Sequence, residues 1–165
     1  LLSIFKNRKI NKNIKVVLAG KQLGPIKFFL QNDIFIKKLK LNKKLFIFDE
    51  WLNEKKEAII FSASDIVWIG YKNYSSPSGV LYQAVNMSLP IIISNDGLIH
   101  HLNRKIKIGY SVNIFNSEEI IKAINYIINK KNLSKFKVYM KKFSKSSNPQ
   151  NWVSAFSKIN NTLYT

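Results

Sequence analysis

Short apolar runs rich in β-branched residues alternate with stretches of helical periodicity along the 165-residue chain. The first run, "IKVVLAGK" at 14–21, ends in glycine and has the profile of a buried parallel strand. Gly24-Pro25 then opens a helix reaching about Lys40, because proline is suited to a first turn, where its missing N–H costs nothing. "KLFIFDE" (44–50) reads as a second strand. Asp49 is placed to cap the helix "EWLNEKKEAIIFSA", whose apolar side carries Trp51, Leu52, Ala58, Ile59 and Phe61. Two further strand-like runs, 65–69 and 90–94, bracket "GVLYQAVNMS", with Val80, Leu81, Ala84, Val85 and Met87 at helical spacing. Residues 109–115 suit a short edge strand or extended segment. Ser117-Glu118-Glu119 starts an amphipathic helix with Ile120, Ile121, Ile124, Ile127 and Ile128 inward. Helical patterns follow over 132–145 and 148–163, and residues 1–9 read as the end of a helix.

Strand and helix alternate throughout, with no repeat, low-complexity tract or linker. The expected fold is therefore α/β, a Rossmann-like doubly wound parallel sheet formed by one domain spanning 1–165. The runs at 15–19, 45–48, 65–69 and 90–94 should share that sheet. In such sheets ligands bind outside the carboxyl ends of the strands. Four turns form that surface: Gly20-Lys21, Phe48–Trp51, Gly70–Gly79 and Ser94–Leu98. The third is the most informative, because Ser78-Gly79 stands directly before a helix. Backbone N–H groups and the helix dipole there converge on a spot suited to a phosphate. Gly79 permits close backbone approach, and Ser75, Ser76 and Ser78 offer hydroxyls. The competing account is that Ser78 only caps its helix, which the spacing alone leaves equally open.

Composition narrows the classes. Hydrophobic residues make up 46% of the chain and aromatics 13%, which marks a globular protein able to bury about two-thirds of its unfolded surface. The absence of cysteine excludes disulfides, thiolate metal sites and cysteine nucleophiles. No apolar run reaches the ~18 residues of a membrane span, and the opening "LLSIFKNRKI" is too short and too early-charged for a signal peptide, so a cytoplasmic location is expected. Net charge is +18, from 27 basic and 9 acidic residues. That balance attracts phosphates, anionic lipid or nucleic acid. Only Arg8 and Arg104 are arginines, however, and bidentate base reading relies on arginine, which argues against sequence-specific nucleic-acid binding.

Other candidate chemistry is weaker. His100-His101 suggests a metal, but adjacent residues on a helix face apart and no third ligand is near, so no metal is expected. His101 or Arg104 lining the cleft is the better reading of that segment. The serines lack a G-x-S-x-G context and Gly24-Pro25 lacks G-x-G-x-x-G, which disfavours hydrolase and NAD readings. Trp51, Trp68 and Trp152 read as core or packing residues, with Trp51 alone placed to meet a base.

The order "SASDIVWIGYKNYSSPSGVLYQAVNMSLPIIISNDGLI", then "GYSVNIFNSEEIIKAINYI", resembles the nucleotide-sugar-binding half of GT-B glycosyltransferases, in particular family 4. The match rests on Ala63-Ser64-Asp65-Ile66-Val67, Ser78-Gly79-Val80-Leu81, Gln83-Ala84-Val85, Leu89-Pro90-Ile91-Ile92 and Gly97-Leu98-Ile99. Gly109, Val112 and the 117–128 helix complete it, over roughly residues 14–163. The resemblance implies a hexosyltransferase of glycan or polysaccharide biosynthesis that binds a nucleotide-diphosphate sugar and needs no metal. On that reading the diphosphate meets Ser78, Gly79, Val80, Lys72 and Lys21. The ribose and base meet Gln83, Phe48 and Trp51, and the sugar meets Ser75, Ser76 and Asn95. No catalytic residue is assigned.

This sequence departs from the family pattern at a pair of glutamates eight positions apart, where Ser75 and Gln83 stand instead. The family's N-terminal acceptor half is also missing, and with no starting Met the chain looks like a fragment, inactive alone. A glycan or lipid-linked acceptor would then be bound by the missing half, with peripheral membrane association at the inner face. The helix at 148–163 would cross back towards that half. Two alternatives stand beside the transferase: a non-catalytic nucleotide-sugar module and a basic polyanion-binding domain.

Overall fold

The computed structural model describes residues 1–76 and 78–146. The helix expected over 148–163, with Trp152, lies outside the described residues. The chain divides into two compact units, Leu2–Ala63 and the residues from Ser64 onward.

In the first unit a 3-10 turn (Leu2–Lys6) precedes strand β1 (Val16–Ala19), helices α1 (Gly24–Asn32) and α2 (Ile34–Leu41), strand β2 (Leu45–Phe48) and helix α3 (Glu54–Ser62). β1 and β2 pair in parallel, from Val16 beside Leu45 to Ala19 beside Phe48. Both strands alternate buried and more exposed positions, unlike the fully buried strand that the apolar run at 14–21 suggests. The single helix expected from Gly24 to Lys40 is two. Asp33 is the reason: its side chain accepts from the Ile36 amide at 3.0 Å and caps α2, which forces its own backbone out of helical geometry. α3 is also capped differently from expectation. Asn53, not Asp49, accepts from the Lys56 amide at 2.9 Å, so α3 begins at Glu54 and Trp51 lies outside it, 80% exposed.

The second unit contains β3 (Val67–Ile69), α4 (Gly79–Asn86), β4 (Ile91–Ser94), α5 (Gly97–Ile106), β5 (Gly109–Val112), α6 (Ser117–Ile128) and α7 (Lys130–Ser146). Its sheet is parallel, in the order β3–β4–β5. β4 is central and buried along its whole length, as a continuous apolar run requires when helices cover both faces. α4 contributes Leu81, Ala84 and Val85 to the core, while α6 contributes Ile120, Ile121, Ala123, Ile124 and Ile127. Each of those large side chains supplies about 1.5–3 kcal/mol by leaving water, so the α6 stripe is a main source of this unit's stability. Ile128, expected inward, is exposed, as is Met87, which shares the helical spacing of the α4 core residues. Asn116 caps α6, accepting from the Glu118 and Glu119 amides.

The expected sheet of four shared strands is thus realised as two hydrogen-bonded ladders, one per unit, all parallel. The fold is Rossmann-like α/β, with parallel sheets flanked by helices.

Candidate functional site

Parallel strands align their carboxyl ends, so Ile69, Ser94 and Val112 end on one side of the second unit, and the chain enters α4 and α5 there. Ser78 holds the N-cap position of α4 and is 4% exposed, yet its side chain makes no cap hydrogen bond. Its carbonyl closes the first turn instead, accepting from Leu81 at 3.0 Å and Tyr82 at 3.3 Å. Helical geometry leaves the N–H groups of Gly79 and Val80 without an acceptor inside α4. Gly79 is exposed, and a Cβ added there would meet no atom of the described residues within 4 Å. The front of α4 is therefore open, electropositive by its dipole and fringed by hydroxyls. The simple capping role considered for Ser78 is not what its hydroxyl does.

Two adjacent turns are tied together beside it. The Asn73 amide donates to Asp96 Oδ1 at 3.0 Å, and the Leu98 amide donates to the Tyr74 carbonyl at 2.9 Å. Gly97 makes the second contact possible: its φ is +74°, and a Cβ there would come 2.6 Å from the Tyr74 oxygen. Asn95, in the same turn, donates its amide to the Val112 carbonyl at 2.9 Å. Ser75 and Ser76 are exposed on the first turn, and Gln83 is exposed one turn along α4 from Gly79. Lys72 is exposed too, its ammonium 5.4 Å from the centroid of the Phe115 ring, a cation–π contact. The second unit thus carries Lys72, Ser75, Ser76, Ser78, Gly79, Val80, Gln83 and Asn95 on its strand-end turns and the start of α4.

Lys21, Phe48 and Trp51 belong to the first unit, beside the carboxyl ends of β1 and β2. Here Asp49 organises the loop. It accepts from the Gln22 amide at 2.8 Å and pairs with Lys21 at 3.7 Å and Lys27 at 3.6 Å. The Gln22 hydrogen bond, aided by the two lysines, holds its carboxyl below the usual aspartate range. Asp49 is a loop clamp where the sequence suggested a helix cap, and Lys21 is partly engaged by it.

The sequence matches the family described as "Glycosyl transferases group 1" over residues 1–147. The chain belongs to this family. No curated protein matches the sequence. Among solved structures, HepE from Anabaena in complex with UDP and glucose superposes with a TM-score of 0.74 at 16% identity, covering 100% of this chain and 44% of that one. WaaG, a glycosyltransferase involved in lipopolysaccharide biosynthesis, gives 0.60 at 16% identity, covering 82% and 35%. The N-terminal domain of Candida albicans trehalose-6-phosphate phosphatase gives 0.72 at 14% identity, covering 99% and 36%. The chain spans less than half the length of each. Its fold is that of the C-terminal half of a GT-B glycosyltransferase.

Within this glycosyltransferase domain, other residues fall away from the strand-end turns. α5 runs antiparallel to the strands, so Arg104, expected in the cleft, lies in its last turn at the opposite end of the sheet. His100 Nδ1 lies 3.0 Å from Ser111 Oγ, and His101 is exposed. No group of three His, Asp or Glu side chains gathers among the described residues.

Two features escaped the sequence: the burial of the Ser94 hydroxyl, in a turn already counted with the ligand surface, and the role of Asn103. Ser94, at the carboxyl end of β4, is 3% exposed, and its hydroxyl has no hydrogen-bond partner among the described residues. Asn103 is buried on α5 and clamps Gly109, donating to its carbonyl at 3.0 Å and accepting from its amide at 2.9 Å. A serine closing an apolar run and an asparagine in the Ile99–Ile106 helical period were the available signals.

Proposed function

We propose that this domain binds the nucleotide-diphosphate sugar donor of a family 4-type glycosyltransferase. The observation that carries the reading is the open start of α4, where a buried Ser78 leaves its cap bond unmade and the Gly79 and Val80 N–H groups face no helical acceptor. The diphosphate would sit against those N–H groups, with Lys72 swinging from the Phe115 ring to join it. Gln83, four residues beyond Gly79 on the same helical face, would accept from the ribose through its side-chain oxygen. Ser75, Ser76 and Asn95 would meet the sugar. HepE has been solved with UDP-glucose and with UDP and glucose, which supports a donor of this class.

The chemistry follows from the leaving group. The bond from the anomeric carbon to the diphosphate oxygen breaks, and that oxygen departs with the electron pair. An acceptor hydroxyl, on a glycan or lipid-linked chain held outside this domain, forms the new bond to the anomeric carbon, and its proton passes to the departing diphosphate. Oriented N–H dipoles and lysines stabilise the growing negative charge without a divalent cation, because they are already aligned when it develops. On this reading the domain alone turns nothing over, and the complete enzyme works at the cytoplasmic membrane face as a peripheral protein.

The second reading is a non-catalytic nucleotide-sugar module, favoured by Ser75 and Gln83 standing where the family's paired glutamates would be. Calorimetric titration of the chain with UDP, GDP and ADP, with and without EDTA, tests donor binding. Saturable, EDTA-insensitive binding is expected for one of them. Weak binding to all three that depends only on salt would leave the polyanion reading.

A further inference from the structure

A cavity of about 350 Å³ opens at the amino end of the second unit's sheet, the opposite end from the donor turns. It lies between the end of α5, the start of β5, and parts of α6 and α7, all in one unit. Its size is at the small end of ligand pockets, which run roughly 300–1,000 Å³.

Its lining joins two kinds of chemistry. Arg104, Lys107 and Lys135 supply three cations, and no acidic residue is among the lining residues. None of the three has an ion pair among the described residues. The C-terminal dipole of α5 accounts for Arg104 and Lys107, since cations are favourable at helix ends. It does not account for Lys135, which stands in the second turn of α7, away from either end of that helix. Three like charges around one concavity repel each other until an anion joins them.

The second component is aromatic. Tyr110, Tyr126 and Tyr139 line the wall, each partly exposed. Tyr110 and Tyr126 stand 5.3 Å apart at 59°, and Tyr126 meets Phe136 edge-on at 73°. Tilted rings offer single faces and hydroxyls, not the parallel plates that sandwich a nucleobase. A sugar ring suits such a wall, with its C–H face on a tyrosine and its hydroxyls on phenol and amide groups. Asn132 donates to the Tyr126 carbonyl at 2.9 Å, leaving its side-chain oxygen as an acceptor.

We infer that this cavity binds an anionic saccharide: a sugar carrying a carboxylate or phosphate, with the anion on Arg104, Lys107 and Lys135 and the ring on the tyrosine wall. The strands that separate it from the α4 start are about 10 Å long, so both sites can be filled together. The inference does not depend on donor binding and stands or falls separately from it.

The test titrates the 165-residue chain by calorimetry with a glucuronic acid tetrasaccharide, glucose 6-phosphate, neutral maltotetraose, inorganic phosphate and UMP. Saturable binding of the glucuronate oligomer, the sugar phosphate or both is expected, at least tenfold tighter than maltotetraose or inorganic phosphate. The two acidic ligands separate a polymer from a free sugar phosphate as the source. Arg104→Gln with Lys135→Gln should weaken binding at least tenfold and Tyr139→Ala about fivefold, with unchanged circular dichroism. Lys37→Gln with Lys38→Gln, the same loss of charge in the other unit, should change it less than twofold. No saturable binding of either acidic ligand, equal binding of maltotetraose or inorganic phosphate, tighter binding of UMP, or equal weakening by the Lys37/Lys38 pair would each overturn the assignment.

Discussion

The backbone N–H of Asn73 donates to the Asp96 carboxylate at 3.0 Å, joining the turn after β3 to the turn after β4. Asn73 has φ +51°, a left-handed conformation that needs support in a non-glycine residue. Asp96 supplies that support across a separation of 23 residues. Asp96→Ala should therefore loosen residues 70–76 and weaken nucleoside diphosphate binding by about tenfold, roughly 1.4 kcal/mol, while the thermal midpoint moves by only a few degrees. Calorimetry and a melting curve on the same sample check both halves.

Gly79 gives a cleaner probe of the α4 start. Because a Cβ there meets no atom of the described residues within 4 Å, Gly79→Val should fold normally, with stability within about 1 kcal/mol of the parent. The same side chain would stand where a diphosphate must approach the backbone, so nucleotide binding should be lost. Retained binding in a folded variant would exclude the α4 start as the diphosphate site.

Ser94 separates a structural cost from a binding role. Its buried hydroxyl lacks a partner among the described residues, an arrangement that costs about 1–3 kcal/mol. Ser94→Ala should hold or raise stability in denaturant titration. If the hydroxyl is kept for the donor, binding of the nucleotide sugar should fall several-fold in the same variant.

Asn103 is expected to show the opposite behaviour. It satisfies both backbone groups of Gly109 from a buried position, so Asn103→Leu leaves an N–H and a carbonyl unpaired at the start of β5. A loss of about 2–4 kcal/mol in chemical denaturation is expected.

The Asp49 clamp sets a pH dependence. Its folded pKa is depressed, principally by the Gln22 hydrogen bond and then by Lys21 and Lys27, so its contribution is fully present above the unfolded value of about 3.8. That contribution is lost as pH falls through the lower folded value. Carboxyl NMR should find Asp49 titrating below the usual aspartate range, and Asp49→Asn should flatten the stability profile in that acidic window.

Much of this protein was legible in the order of its residues. Apolar runs located β1 to β5, and the isoleucines of α6 declared its buried face, because a period of two or 3.6 survives in any tertiary setting that buries one side. The Ser78-Gly79 boundary marked the start of α4 for the same local reason. Caps were harder to read. Asp33, Asp49 and Asn53 lie near one another in sequence type and spacing, and each can cap a helix; only the folded chain assigned Asp33 to α2, Asn53 to α3 and Asp49 to the Gln22 amide 27 residues away. Ladder membership, the tie between Asn73 and Asp96, the orphaned Ser94 hydroxyl, and the gathering of Arg104, Lys107 and Lys135 around one cavity were likewise decided by tertiary structure. Local pattern records which face of an element is buried, but hydrogen bonds and charges between distant segments depend on where packing brings those segments.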